Sequence, residues 1–457
     1  MQMGADAVGA DAVVIHGRLT VFPAKTNPIG KVHKLSYLDH MMRRHYGKLI
    51  YYYDTSSVEN RPNLIMSLRI TLSKAISNFP LFCGRLRKSD DGLWEVTMND
   101  AGLRAYEATC DYPMEKFFAG RKHSLIETEL CRHEINDSAI FTPVAVVQFT
   151  EFSCGNIAIG LSWHHAIADP MCATLFMKAW GEAHRGARIL HPPFFHPPSL
   201  GPRPQRSLIT QSRNYYTSSF FNKERDLDAK NELYQSVTLN FNHDTVTKLM
   251  SEVQNGSYKF GPPLPSDVLC ALLWVAVSRA QGKSSCDVAM ASLCLEVRKI
   301  HRPPLPYGYV GNALHFSKLS FPMDMAEDND LSRVAGIINE CAGMLDSEEV
   351  SSVIDLIQDM EDQGKGVLRD PPFFYSDGLT IAIFDHLFCY DDHFQFGRPS
   401  RVTCSVQPIK GDGQIIILPA AEGGSSRSAT ISLPKPVMEK LLNDSQLERL
   451  LVEPVIS

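Results

Sequence analysis

The decapeptide LSWHHAIADP, residues 161–170, ends an apolar run with two adjacent histidines and an aspartate. A neutral imidazole can accept a proton from an alcohol or amine at neutral pH, which a core leucine cannot. Adjacent positions of an extended segment point to opposite faces, so at most one of His164 and His165 serves as the base. Three other readings compete for these residues. A metal could take His164, His165 and Asp169, but the two imidazoles diverge and no further ligand cluster stands out. A serine hydrolase would need a nucleophile elbow, and no G-x-S-x-G occurs. The plainest alternative is a satisfied core histidine beside a helix-capping aspartate. Asp169 precedes Pro170, and proline suits the first position of a helix.

The surrounding elements say how such residues would be held. VAVVQFTEF (144–152) and NIAIGLSW (156–163), separated by Ser-Cys-Gly, predict a β-hairpin. A helix then opens at DPMCATLFMKAWGEAHRG (169–186). The imidazoles therefore fall at a strand-to-helix turn, from which a side chain can project off a rigid sheet into a cleft. Upstream, SLRITLSKAISNFP (67–80) sets Leu68, Leu72, Ile76 and Phe79 at helical spacing, and LWEVTM (93–98) alternates as a strand.

HPPFFHPPSLGPRPQ (191–205) holds six prolines in fifteen residues, which excludes helix interior and central strand alike. It divides the chain into an N-terminal domain over 1–190, a crossover over 191–220 and a C-terminal domain over 221–457. Beyond it, SDVLCALLWVAVSRAQG (266–282) predicts an apolar helix capped by Ser266, and strands are expected at 288–297, 379–384, 413–420 and 428–433. Strands and helices mixed in both halves indicate an α/β fold around two cores.

Composition narrows the function. Of 457 residues, 44% are hydrophobic and 21% charged, a soluble globular balance. A net charge of −6 argues against a nucleic-acid partner, which would need a broad basic face. The eleven cysteines are dispersed without CxxC spacing and read as reduced thiols. No secretory signal is visible, and the apolar runs, such as ALLWVAV (271–277), are far short of a membrane span. A cytoplasmic protein is expected.

Several stretches, in order, resemble one family. HHAIAD (164–169) resembles the HxxxD motif of the plant BAHD acyltransferases, which move acyl groups from coenzyme A thioesters. FPLFCGRLR (79–87) is similar to that family's YPLAGRL stretch, and EVRKIHRPPLPYGYVGN (296–312) to its VRSRLNPPLPxGYFGN segment. YDDHFQFGRPSRV (390–402) lies where the family carries YxxDFGWGKPxxV. The resemblance implies two chloramphenicol-acetyltransferase-like domains, each a mixed sheet flanked by helices, with a channel between them reaching His165. It implies acyl-CoA as co-substrate, a small-molecule acceptor, no bound cofactor or metal, and a monomer of plant specialised metabolism.

Carried over, His165 becomes the general base and Asp169 a structural residue paired with Arg298. Ser266, Lys259 and Arg398 become candidates for CoA binding. His164 is read as packing, and the acceptor pocket is expected to draw on KLSYLDHMM (34–42), on 79–87 and on the region of Phe384. Two departures stand out. HFQFG replaces the glycine-rich DFGWG, bringing in His393, Gln395 and Phe396. Phe384 replaces a tryptophan whose indole N–H assists the oxyanion in the family, and phenylalanine has no donor. The expected activity is O- or N-acyl transfer, with hydroxycinnamoyl favoured as the acyl group. Its rivals are lactone closure within one substrate, and a partner-dependent role resembling the wax-elongation (eceriferum and glossy) branch.

Overall fold

Ala145–Phe152 pairs antiparallel with Ile157–His164 in the expected hairpin, Ala145 opposite Trp163 and Glu151 opposite Ile157. All of Ile157–His164 is buried, which is why it reads as a continuous apolar run and not as an alternation. The computed structural model describes residues 12–450 apart from 28–29, 57, 59–62, 119–126, 134–141, 196–199, 209, 222–233, 257, 285, 328–329, 377 and 392–393. Part of the proline-rich crossover, the start of the expected C-terminal domain, and His393 thus lie outside the described residues.

The hairpin sits inside a six-stranded sheet ordered Val13–Val21, Leu103–Cys110, Ala145–Phe152, Ile157–His164, Tyr46–Tyr53, Arg401–Gln407. A second six-stranded sheet runs Tyr234–Phe241, Arg427–Pro434, Gly413–Pro419, Leu379–Ile383, Val288–Glu296, Leu314–Pro322. Parallel and antiparallel pairs occur in both, so each is a mixed sheet. A small four-stranded sheet, Lys31–Lys34, Trp94–Met98, Arg85–Lys88 and Thr142–Pro143, flanks the first.

One strand crosses between the halves. Arg401–Gln407 pairs with Tyr46–Tyr53, Arg401 opposite Tyr52, so residues far beyond the crossover complete the first sheet. The second sheet is built wholly from strands that follow 191–220, while the first takes this one strand from beyond it. Side-chain alternation is the same whichever sheet a strand joins, so periodicity alone could not assign its partner.

Helix Pro170–His184 is almost wholly buried and packs on Leu64–Ile76, where the Trp180 indole donates to the Leu68 carbonyl and the Thr71 hydroxyl, each at 3.2 Å. Leu64–Ile76 ends ahead of Pro80, which opens a separate turn, Pro80–Cys83, so Phe79 falls beyond the helix. In the second half, Pro265–Ala280 buries Val268 to Val277 against its sheet. Its cap is Leu264, not Ser266 as expected. Pro265 takes the first helical position, and Asp267 reaches back to the Leu264 N–H at 2.8 Å. Each buried Leu, Val or Phe stabilises by roughly 1.5–3 kcal/mol before chain entropy is set against it. Among the described residues no helix is long and apolar enough to cross a membrane.

Candidate functional site

The first helical turn after the hairpin fixes Asp169. Its carboxylate accepts from the Cys172 N–H at 2.9 Å, capping Pro170–His184, and faces the positive end of that helix. The remaining lone pairs go to the other half of the molecule. Arg298 approaches with both terminal nitrogens, at 2.7 and 3.0 Å, and the Ala313 N–H donates at 2.9 Å. Arg298 also donates to Glu296 at 2.9 Å and to the Gly311 carbonyl at 3.1 Å. Both members of the pair are buried, so each charge depends on the other. The pair ties the helix of the first half to the 296–313 segment of the second. Gly311 makes this possible, because its φ of +145° and the close Tyr309 hydroxyl exclude a side chain there.

His164 and His165 part company at the end of the strand. His164 is buried, and its Nδ1 accepts from the Ala166 N–H at 3.2 Å, a local turn bond. The His165 N–H donates to the His45 carbonyl at 2.9 Å, so its backbone extends the strand pairing by one step. Trp163 can lie flat across the neighbouring strand because Gly47 has no Cβ to meet its ring.

Sequence reasoning missed the group that orients His165. Nδ1 of His165 lies 2.9 Å from Oδ1 of Asn312. The Asn312 amide cannot be reversed, because its Nδ2 donates to an Asp39 carboxylate oxygen at 2.8 Å and to the His165 carbonyl at 2.7 Å. Oδ1 can only accept, so His165 carries its proton on Nδ1 and presents a lone pair at Nε2. That Nε2 has no hydrogen-bond partner among the described residues. Asp39 is anchored in turn by the backbone N–H of Asn312 and by the N–H and hydroxyl of Ser36, at 2.8, 2.8 and 2.7 Å. Burial raises its carboxyl pKa, against the lowering effect of those bonds. The signal was present in SYLD (36–39) and in GN (311–312), but only folding brings them together.

Burial chiefly pushes the His165 pKa down to about 4, with Asp169 opposing it, so the ring is neutral at pH 7. The ring lies between the halves, with Trp163 and Tyr375 at centroid distances of 6.5 and 6.0 Å, and has 0% exposure. Where the resemblance implies a channel open to solvent, the imidazole itself is enclosed among the described residues. Aromatic side chains fill the space around it, a packing that sequence spacing cannot foresee.

Ser266 and Lys259 have their polar partners outside this cluster. Ser266 is buried in its helix's first turn, and its hydroxyl donates to the Asp385 carboxylate, which also pairs with Arg427 at 2.7 Å. Lys259 is 64% exposed and pairs with Glu340 at 3.5 Å. Arg398 is exposed. Phe384 is buried in the core near the site and brings no donor. The altered loop docks aromatics on the first half: Phe394 packs edge-on against Trp180 at 5.1 Å and His184 at 5.3 Å, and Phe396 stacks on Phe394. The Gln395 N–H donates to the His184 ring at 3.2 Å. Among the described residues no group of three or more His, Cys, Asp or Glu could hold a metal.

Comparison with known proteins adds three kinds of likeness. The model of a family described as the Transferase family matches residues 12–448. The chain is 25% identical over 439 residues to "Protein ECERIFERUM 26-like" of Arabidopsis thaliana, covering 93% of this chain and 94% of the relative. It is 24% identical over 391 residues to agmatine hydroxycinnamoyltransferase 1 of Oryza sativa subsp. japonica, covering 82% and 85%. Rosmarinate synthase of Plectranthus scutellarioides is 25% identical over 427 residues, covering 92% and 95%. Among solved structures, vinorine synthase superposes with a TM-score of 0.71 at 16% identity, over 96% of this chain and 99% of that one. F. sporotrichioides TRI101 complexed with coenzyme A and T-2 gives 0.72 at 13% identity, over 92% and 99%.

Proposed function

The chain belongs to the Transferase family, the BAHD acyltransferases that its motifs resemble, and from that premise we propose that it moves an acyl group from acyl-CoA to a hydroxyl or amine of a small molecule, with His165 as general base. One observation carries the reading: a buried imidazole whose Nδ1–H is committed to Asn312 and whose Nε2 lone pair has no partner among the described residues. Nε2 takes the proton of the acceptor as its oxygen or nitrogen attacks the thioester carbon. The imidazolium so formed is held through Nδ1–H by Asn312, itself backed by the Asp39 carboxylate. It returns the proton to the departing CoA thiolate, so no acyl-enzyme is required. Asp169 and Arg298 hold the turn and the interface without touching the reacting atoms.

Hydroxycinnamoyl is the favoured acyl group, supported by the hydroxycinnamoyltransferases among the relatives and by the aromatic packing about His165. CoA would enter past Ser266, Lys259 and Arg398, and a monomer of the cytoplasm fits the size and composition. The pairing of Ser266 with Asp385 and Arg427 favours a pantetheine contact over a phosphate contact there, because Asp385 would repel phosphate.

A second reading, a partner-dependent role without turnover by the chain alone, is favoured by the occluded His165 ring and by the likeness to the ECERIFERUM proteins. Both meet in one assay. Purified chain is given acyl-CoA thioesters and a panel of small alcohols and amines, and free CoA thiol is measured. Acyl transfer requires thiol release that His165→Ala abolishes while the circular dichroism stays native. Equal release by His165→Ala removes the base assignment. No release by the wild type, restored on adding a partner, favours the second reading.

A further inference from the structure

Attack on a thioester carbonyl moves negative charge onto its oxygen, and in a dry site that oxyanion needs a hydrogen-bond donor. The donors near His165 differ in how far they are already committed. The Trp163 indole N–H is given to the Ala168 carbonyl at 2.8 Å. Both Nδ2 hydrogens of Asn312 are used, and Phe384 has none to offer. His45 lies beside His165, just before the strand Tyr46–Tyr53, but its Nε2 accepts from the Phe374 N–H at 3.0 Å. Its proton is therefore on Nδ1, and that atom has no hydrogen-bond partner among the described residues.

Tyr375 carries a further loosely held donor, placed between the base and the strand that leads to Phe384. Its ring is buried, 6.0 Å from the His165 imidazole and 5.2 Å from that of His45. Its hydroxyl meets the Cys294 thiol at 3.6 Å, and no other hydrogen bond engages it among the described residues. Sulfur is a weak acceptor, so this O–H can turn to a stronger one at little cost. Cys294 stands directly opposite Ala382 on the neighbouring strand, two residues before Phe384 and on the same face. The phenol thus spans from the base to the strand face that leads to Phe384, whose ring brings no donor.

We propose that the Tyr375 hydroxyl is the hydrogen-bond donor to the tetrahedral oxyanion, a catalytic residue of the acyl transfer read above, on which this assignment rests. The acceptor atom bonds to the carbonyl carbon while its proton passes to His165 Nε2. The C=O π pair moves onto oxygen, and the phenol hydrogen-bonds that oxygen without giving up its proton. Burial holds the phenol pKa well above its ordinary value, which keeps the proton in place. Collapse re-forms C=O and breaks C–S, and the thiolate takes the proton from His165.

The test is Tyr375→Phe, assayed for thiol release with its melting midpoint measured alongside. Loss of the donor is expected to lower kcat about 10²–10³-fold, with KM for acyl-CoA nearly unchanged and the fold intact. Cys294→Ser serves as a second variant that leaves the phenol in place, should Tyr375→Phe not fold. A serine hydroxyl competes better for the phenol proton and is expected to lower kcat several-fold. Wild-type kcat in a folded Tyr375→Phe, or in Cys294→Ser where the first variant does not fold, overturns the assignment alone. A wild-type chain that releases no thiol removes the acyl-transfer reading and this assignment with it.

Discussion

Asp169→Ala separates chemistry from architecture at this site. The substitution deletes an acceptor of four hydrogen bonds: Cys172 N–H at 2.9 Å, Ala313 N–H at 2.9 Å, and the two Arg298 contacts at 2.7 and 3.0 Å. Removing one partner of a buried ion pair typically costs about 3–5 kcal/mol, because the other charge stays buried. Loss of the helix cap alone is worth about 1 kcal/mol and is included in that range. Glu296 remains on Arg298 at 2.9 Å and compensates part of its charge, which places the expected loss nearer the lower end. For 457 residues, unfolding entropy near the melting point is about 1 kcal/mol per kelvin, so the midpoint should fall by roughly 3–5 °C. Denaturant melts measure the loss directly, and thiol release at a temperature where the variant stays folded measures the chemistry. Asp169→Asn, which keeps a cap acceptor but not the charge, should fall between wild type and alanine. An Asp169→Ala chain that melts with the wild type yet has no activity would refute the structural role and place the carboxylate in the reaction.

Asn312→Ala should leave His165 free to take either tautomer and lower kcat by about 10²-fold or more, as expected when a base loses the group that orients it. It should do so with a smaller effect on KM, which steady-state kinetics reads. Acid stability should depend on the buried imidazoles. His40 and His165 are each lowered from 6.5 to about 4, mainly by burial, so the unfolded chain binds their protons first as pH falls. Their contribution is full above pH 6.5 and is lost progressively toward pH 4, about 2 kcal/mol for each between pH 7 and 5. Denaturant midpoints across that range should show a shallower slope for His165→Gln, and an unchanged slope would contradict the burial argument.

Much of this protein was legible in its residues because the signals are local. Asp169 before Pro170 marks a helix start through a cap bond three residues long, and the hairpin around Ser153–Gly155 declares itself by two β-rich runs and a turn. The order of HHAIAD, PPLPYGYVGN and the altered HFQFG loop was enough to place the family. Local chemistry also misled where two neighbours could play one part, as when Pro265 and Asp267 took the helix start that Ser266 was expected to cap.

Tertiary structure decided what depends on residues meeting across long sequence distances. Asn312 lies 147 positions from His165 and 273 from Asp39, and no periodicity links the three. Yet their hydrogen bonds choose which imidazole nitrogen keeps the proton. Membership of Arg401–Gln407 in the first sheet, and the closing of aromatic rings over His165, are likewise decided by which surfaces complement each other in three dimensions. Residue type sets what a side chain can donate or accept; only packing decides which of those valences is left open for a substrate.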